Sequence, residues 1–360
     1  TGCATRNITP LAAASAAEAQ LGFSGAVLVA QRGVIRLDEV HGAVRGQLVR
    51  PESRFWISSM GKQFISAAIM RCADLGHLSV DQTLGDTWPD MPTDKSAITI
   101  RQVLSHTSGL PQSYDFEVAE SSEEARAGIL ALPLEAAPGD HFIYSNANYA
   151  LAATIIERAS GENHAAFVRT QLLDRAGLRN TGQFPSNPTP NVEPIVGETP
   201  PVLGRLRWWQ AYYSTAHDLY RWRLALWSDR IISASARETL LSPVAAIQEG
   251  HAALGWFIAN TERGATRIFV RGNDDTGQNS LIYYYPQTAT TIIVLTHAGD
   301  KDDLPAPQLE YRQQLEAYLS TKAQDLLTHY LGAGRAVVRV SADVNFQKLK
   351  EQKVTYSPTD

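Results

Sequence analysis

The hydrophobic period of this chain changes twice, and that change limits the folds open to it. Residues 25–30 and 34–40 read as two strands, with Gln31-Arg32-Gly33 as a tight hairpin between them. From Val80 to about Leu241 the pattern is that of helices and long loops, with candidate helices at 100–105, 123–132, 148–160, 164–173 and 215–228. From Leu254 the period returns to that of strands, at 254–260, 266–271, 280–285 and 290–296. Residues 307–331 read as a closing helix with Pro307 in its first turn. Strands at both ends with helices between them predict an α+β fold: an antiparallel sheet flanked by helices, built from both chain ends, with a mostly helical domain inserted. The expected division is 21–80 with 245–331 for the sheet domain and 81–244 for the helical domain, with an N-terminal tether at 1–20 and a C-terminal extension at 332–360.

Between the first hairpin and the helical region lies Phe55-Trp56-Ile57-Ser58-Ser59-Met60-Gly61-Lys62-Gln63-Phe64. Phe64, Ile65, Ala68, Ile69, Cys72 and Leu75 recur at helical steps, so a helix with a buried face begins here. A spacing of three puts Ser59 and Lys62 on one side of its first turn, about 5–6 Å apart at Cβ. That turn also carries unpaired N–H groups and the positive end of the dipole. A serine beside an amine that can take its proton is a candidate nucleophile. The same residues also fit a helix N-cap and a surface lysine, so other groups must decide. One is Tyr144, in the loop Pro138-Gly139-Asp140-His141-Phe142-Ile143-Tyr144-Ser145-Asn146, where a phenol could shuttle a proton and Asn146 could hold a substrate amide.

Composition narrows the partners. A net charge of -5 gives no reason to expect nucleic acid, and no apolar run is long enough to span a membrane. No histidine has metal-ligand spacing, so neither metal nor cofactor is expected; His106 and His141 read as loop hydrogen-bonders. Cys72 falls on the buried helix face as an inert thiol. Thr1-Gly2-Cys3-Ala4 resembles the end of a bacterial lipobox, which predicts an exported chain, periplasmic or membrane-anchored, tethered through acyl chains on Cys3.

Ser59-x-x-Lys62 followed by Tyr144-x-Asn146 resembles the first two motifs of the serine β-lactamase and penicillin-binding protein superfamily, in its branch of class C β-lactamases, DD-peptidases and EstB-like esterases. Leu104-Ser105-His106-Thr107-Ser108-Gly109-Leu110 is similar to a loop of that branch. So are Ala176-Gly177-Leu178-Arg179-Asn180-Thr181, Tyr213-Ser214-Thr215-Ala216-His217-Asp218-Leu219 and Leu254-Gly255-Trp256. The resemblance implies a β-lactamase/transpeptidase-like fold and a hydrolase that forms an acyl-enzyme on Ser59. Lys62 and Tyr144 would share the proton traffic. The oxyanion hole would be the Ser59 N–H and one at the strand end near Asn273 and Asp274. Lysine and tyrosine both titrate near 10 in water, so either acts as a base at neutral pH only if its pKa is lowered.

The third motif departs from the family. Counting back from Gly277-Gln278-Asn279-Ser280, the triplet in place of Lys-Thr-Gly or His-x-Gly is Arg271-Gly272-Asn273. Arg271 keeps a positive charge but cannot act as a base. Asn273 puts a side chain where glycine would let substrate backbone lie along the strand. Asp274 and Asp275 add negative charge where the substrate carboxylate of penicillins is received. Together these predict a small-molecule or peptide substrate, cleavage of a neutral ester or amide, and weak or no β-lactamase activity. The alternatives are a peptidoglycan DD-peptidase and a catalytically impaired binding protein on the same fold. The aromatic run Trp208, Trp209, Tyr212, Tyr213, Tyr220, Trp222 and Trp227 reads as helical-domain core or as an apolar wall for an acyl group.

Overall fold

The computed structural model of the protein describes residues 24–44, 46–112, 119, 121–183, 212–261, 264–273 and 278–297. The expected tether, closing helix and C-terminal extension lie outside them, as do Cys3, Trp208, Trp209, Asp274 and Asp275.

Strands β1 (Gly25–Gln31) and β2 (Val34–His41) form the expected hairpin. Its turn is Arg32-Gly33, both at positive φ (52° and 81°), the two-residue geometry that matches the twist of the strands. Two-residue strands β3 (Phe55–Trp56) and β4 (Gly182–Gln183) flank β5 (Tyr212–Ser214) in a small separate sheet. Then come β6 (Ala245–Ile247), β7 (Gly250–Ala252), β8 (Phe257–Asn260), β9 (Thr266–Asn273), β10 (Gln278–Tyr285) and β11 (Thr290–His297). The described residues form an eight-stranded antiparallel sheet in the order β2-β1-β11-β10-β9-β8-β7-β6. Its two chain ends meet where β1 pairs with β11, in register from Gly25↔Thr296 to Gln31↔Thr290. Both strands are apolar on both faces, as a central position requires.

Helices α1 (Lys62–Asp74) and α2 (Asn146–Ser160) pack on each other, and α3 (Ala216–Leu226) packs on one face of the sheet, at β1 and β11. Leu28, Ile282, Ile293, Ile268 and Val270 belong to one buried cluster with Phe64, Ile65, Trp222 and Trp256. The other face carries a smaller cluster, Val29, Leu37, Phe269, Leu281, Tyr283 and Ile292. α1 and α2 are buried on nearly every side, so they form the centre of the molecule rather than its surface. Tyr212, Tyr213, Tyr220 and Trp222 are core residues, and Trp227 packs edge-on against Trp256 and Tyr284.

Several elements differ from expectation. The strand expected from Leu254 begins at Phe257, because Gly255 at φ 75° turns the chain first. The helix from His164 is α-helical to Val168 and continues as a wider π turn over Arg169–Leu173. The hairpin of β6 and β7, which lengthens the sheet edge, was not expected at all; strands of three residues are too short to show an alternation.

Candidate active site

Ile57 ends an extended segment, its N–H donating to the Tyr212 carbonyl at 3.0 Å. Ser58 then takes φ 46°, a left-handed conformation that costs a non-glycine residue about 1–3 kcal/mol. This bend starts a short 3-10 turn over Ser58–Gly61 that presents Ser59, and α1 begins directly after it at Lys62. Ser59 thus sits on a bent 3-10 turn ahead of the α-helix, instead of in the first α-turn. The turn is wedged between two elements. A Cβ on Gly61 would lie 2.6 Å from the Tyr212 ring, and one on Gly272 of β9 would lie 2.2 Å from the Ile57 carbonyl oxygen. Ser280 of β10 lies beside the same carbonyl, its Oγ 2.9 Å from Ile57 O and 3.2 Å from Gly272 O.

The structure brings four of the expected residues together. Lys62 Nζ donates to Ser59 Oγ at 2.9 Å and to Asn146 Oδ1 at 2.9 Å. Tyr144 OH shares a hydrogen bond of 2.7 Å with Ser59 Oγ. Lys62 is only 4% exposed and Asn146 2%, and the ammonium also lies 5.0 Å from the centre of the Tyr144 ring. Asn146 opens α2, so the first residues of two central helices meet at Lys62 Nζ, beside the Ser59 hydroxyl. Burial pushes the Tyr144 phenol up to about 12, and its bond with Ser59 recovers only part of that shift. Tyr144 therefore does not meet the lowered-pKa condition for a base.

The loop at 104–110 supports the tyrosine from behind. His106, at φ 60° and 3% exposed, accepts the Ser145 N–H at Nδ1 (3.1 Å), and its ring lies 4.6 Å from that of Tyr144. Burial first, and the charge of Lys62 second, hold its pKa well below the usual imidazole value. Gln112, which sequence reasoning missed, accepts the Asn146 N–H at 2.7 Å. Its signal was only its place two residues beyond the loop.

The Beta-lactamase family model matches residues 11–316. The chain belongs to the Beta-lactamase family. A curated penicillin-binding protein of Bacillus subtilis (strain 168) is 26% identical over 314 residues, covering 76% of this chain and 68% of that one. This chain spans between 62% and 68% of the length of the first curated relatives it matches, less than two thirds for most of them. Among solved structures, a penicillin-binding protein from Bacillus halodurans superposes with TM-score 0.66 at 22% identity, over 86% of this chain and 99% of the other. A D-amino acid amidase from Ochrobactrum anthropi SV3, complexed with D-phenylalanine, does so with TM-score 0.67 at 17% identity, over 81% and 92%. At these identities the structural matches establish the fold, and the fold is that of the superfamily resembled by the sequence motifs.

Within this Beta-lactamase-family fold, the third-motif residues part company. Gly272 faces the Ser59 turn, and Arg271 points to the other face of the sheet. Arg271 contributes to the rim of the cleft, but its Nε donates to Tyr283 OH at 2.9 Å and its Nη2 to Glu249 Oε2 at 2.7 Å. Asn273 closes β9. The cleft in front of Ser59 is open to solvent, and its apolar walls are Ala253, Gly255, Trp256, Phe257 and Val270. Among the described residues no His, Cys, Asp and Glu cluster could hold a metal, and no helix is long and apolar enough to cross a membrane.

Proposed function

We propose that this hydrolase forms an acyl-enzyme on Ser59 and cleaves a neutral ester or amide. The observation that carries the reading is the convergence of Lys62 Nζ (2.9 Å) and Tyr144 OH (2.7 Å) on Ser59 Oγ. Lys62, as the free amine, takes the Ser59 proton while Oγ bonds to the substrate carbonyl carbon. The resulting oxyanion is received by the Ser59 N–H and an N–H at the end of β9 near Asn273. Tyr144, a neutral phenol, gives its proton to the leaving alcohol or amine and is reprotonated from Lys62. Water then repeats the sequence against the acyl-serine, returning the carboxylic acid and free Ser59. Asn146 fixes Lys62 and is placed to hold a substrate amide.

A carboxylate-bearing β-lactam meets an Arg271 whose charge is shared with Glu249, which supports weak or absent β-lactamase activity. Similarity to penicillin-binding proteins favours a DD-peptidase as the second reading. Export and an acyl tether on Cys3 complete the proposal. Mass spectrometry of a lipidated N-terminal peptide would test them.

A panel of esters, peptides and β-lactams run on wild type and Ser59→Ala tests the reaction. Expected are ester or amide turnover lost by about 10³-fold or more in the variant, a fluorophosphonate adduct on Ser59, and little nitrocefin hydrolysis. A wild-type chain that takes up neither fluorophosphonate nor penicillin is a binding protein.

A further inference from the structure

The loop at 104–110 is unusual in what it invests at one residue. His106 is a non-glycine residue in the left-handed region (φ 60°), buried among aromatic rings, with its backbone and side chain both engaged. Its carbonyl accepts the Ile143 N–H at 2.8 Å and its Nδ1 accepts the Ser145 N–H at 3.1 Å. Tyr144 lies between those two anchored residues, with its ring inclined 30° to the imidazole at 4.6 Å. The Ser145 N–H pointing at Nδ1 fixes the tautomer, with the ring hydrogen on Nε2. A protonated imidazole would aim a second N–H at that donor, so the arrangement holds only for the neutral ring.

Resting on the Ser59 reading above, we propose that His106 is the positioning residue of the reaction, holding Tyr144 OH within reach of Ser59 Oγ through the Ser145 N–H and the ring stack. It acts on a distance that the chemistry depends on. A displacement of about 1 Å of a proton-transfer group can cost on the order of 10²-fold in rate. Burial keeps the imidazole in the neutral form that this role needs.

Three variants separate the contributions. His106→Phe keeps a ring for the stack and removes the acceptor. His106→Asn restores an acceptor on a residue that tolerates positive φ. His106→Ala removes both. The readout is the rate of Ser59 acylation by a fluorophosphonate, together with kcat and KM on the best ester of the panel. His106→Phe is expected to lower kcat about 10- to 100-fold with KM little changed, as loss of an interaction made in the transition state does. His106→Asn is expected to recover most of that loss, and His106→Ala to be the slowest.

In a Tyr144→Phe background the same His106→Phe change is expected to have no further effect, because the residue acts through the phenol. Equal acylation rates for wild type and His106→Phe overturn the proposal. So does an undiminished effect in the Tyr144→Phe background, which would make His106 a merely structural residue. Wild type that fails to acylate at all overturns the Ser59 reading instead, so the two failures are distinguishable. Circular dichroism melting of each variant, run alongside, assigns any loss to unfolding when the folded fraction falls with the rate.

Discussion

Ile268, Val270 and Gly272 look one way from β9, while Arg267, Phe269 and Arg271 look the other, and the two sets meet different chemistry. The first set packs on the Ser59 turn and the central helices, and Gly272 lies so close that no side chain fits there. The second set stacks guanidinium groups on aromatic rings. Arg267 and Arg271 lie 4.5 and 4.9 Å from the Phe269 ring centre, with Glu249 bonded to both. Positional fit governs the inner face, and compensated charge governs the outer one. The positive charge expected at the third motif is present in the chain, but one residue out of phase with the nucleophile. Side chains alternate along a strand, so a step of one residue is a change of face.

The most damaging test of that contrast is a pair of changes at adjacent positions. Gly272→Val places atoms where the Ile57 carbonyl and the Met60 N–H already lie, at 2.2 and 3.0 Å from the new Cβ, and the Ser59 turn must move. Acylation is expected to fall by at least about 10²-fold, with a stability loss of about 1–3 kcal/mol. Arg271→Ala, one residue away, is expected to leave acylation within about threefold and to cost about 1 kcal/mol from the lost aromatic and Glu249 contacts. Thermal melts and fluorophosphonate labelling of the two variants side by side decide it. Similar losses of labelling in both would erase the distinction between the faces.

Alkaline titration probes the inner region more broadly. Burial pushes the Cys72 thiol and the Tyr144 phenol each up to about 12, and raises Tyr149 and Tyr212 as well. The fold holds these protons, whereas the unfolded chain releases them above about pH 9 for cysteine and 10 for tyrosine. Stability is therefore unaffected below about pH 9 and falls as pH rises. Cys72 and Tyr144 together contribute a loss of about 4 kcal/mol by about pH 11. Urea melts across that range should show it, and Cys72→Ala should remove the largest single share. A flat profile would mean that the inner region admits charge readily. His106 gives the acid-side counterpart. Its lowered pKa means the unfolded chain gains a proton first, so its contribution is lost as pH falls below about 6.5.

Much of this arrangement was legible in the residues. The Ser59–Lys62 step of three puts both residues on one side of a helical turn, here a 3-10 turn running into α1, and Tyr144–Asn146 marks the end of a loop and the start of α2. The strand–helix–strand pattern locates the sheet because central strands must be apolar on both sides. What was not legible depends on long-range register. The face taken by Arg271 follows from the pairing Arg271↔Leu281, which no local pattern fixes. Glu249 belongs to a turn between two three-residue strands, and only the folded hairpin brings it to Arg271. The raised pKa of Tyr144 comes from burial of its loop, which a run of turn residues does not reveal. The loop position of His106 marks it as a hydrogen-bonder, and its partner, the backbone of Ser145, is fixed only by the folded loops.

Glu249→Gln is the gentlest way to sharpen the contrast between the faces. The amide keeps the shape and can still accept from Arg271, so fold and stability should change little. What it removes is the negative charge that offsets Arg271 at 2.7 Å and Arg267 at 3.5 Å. Because Arg271 also borders the cleft, the variant carries one extra positive charge at the rim of the site. Several ångströms of partly solvated separation limit its effect to about 0.5 kcal/mol, or about two- to threefold in kcat/KM for a carboxylate-bearing substrate. A neutral ester of the same acyl group should show no change. The gain should shrink at about 0.5 M salt, where a Debye length of a few ångströms screens the rim. An anionic substrate that gains nothing at low salt would show that the guanidinium, even uncompensated, is too firmly held on the outer face to be felt at Ser59.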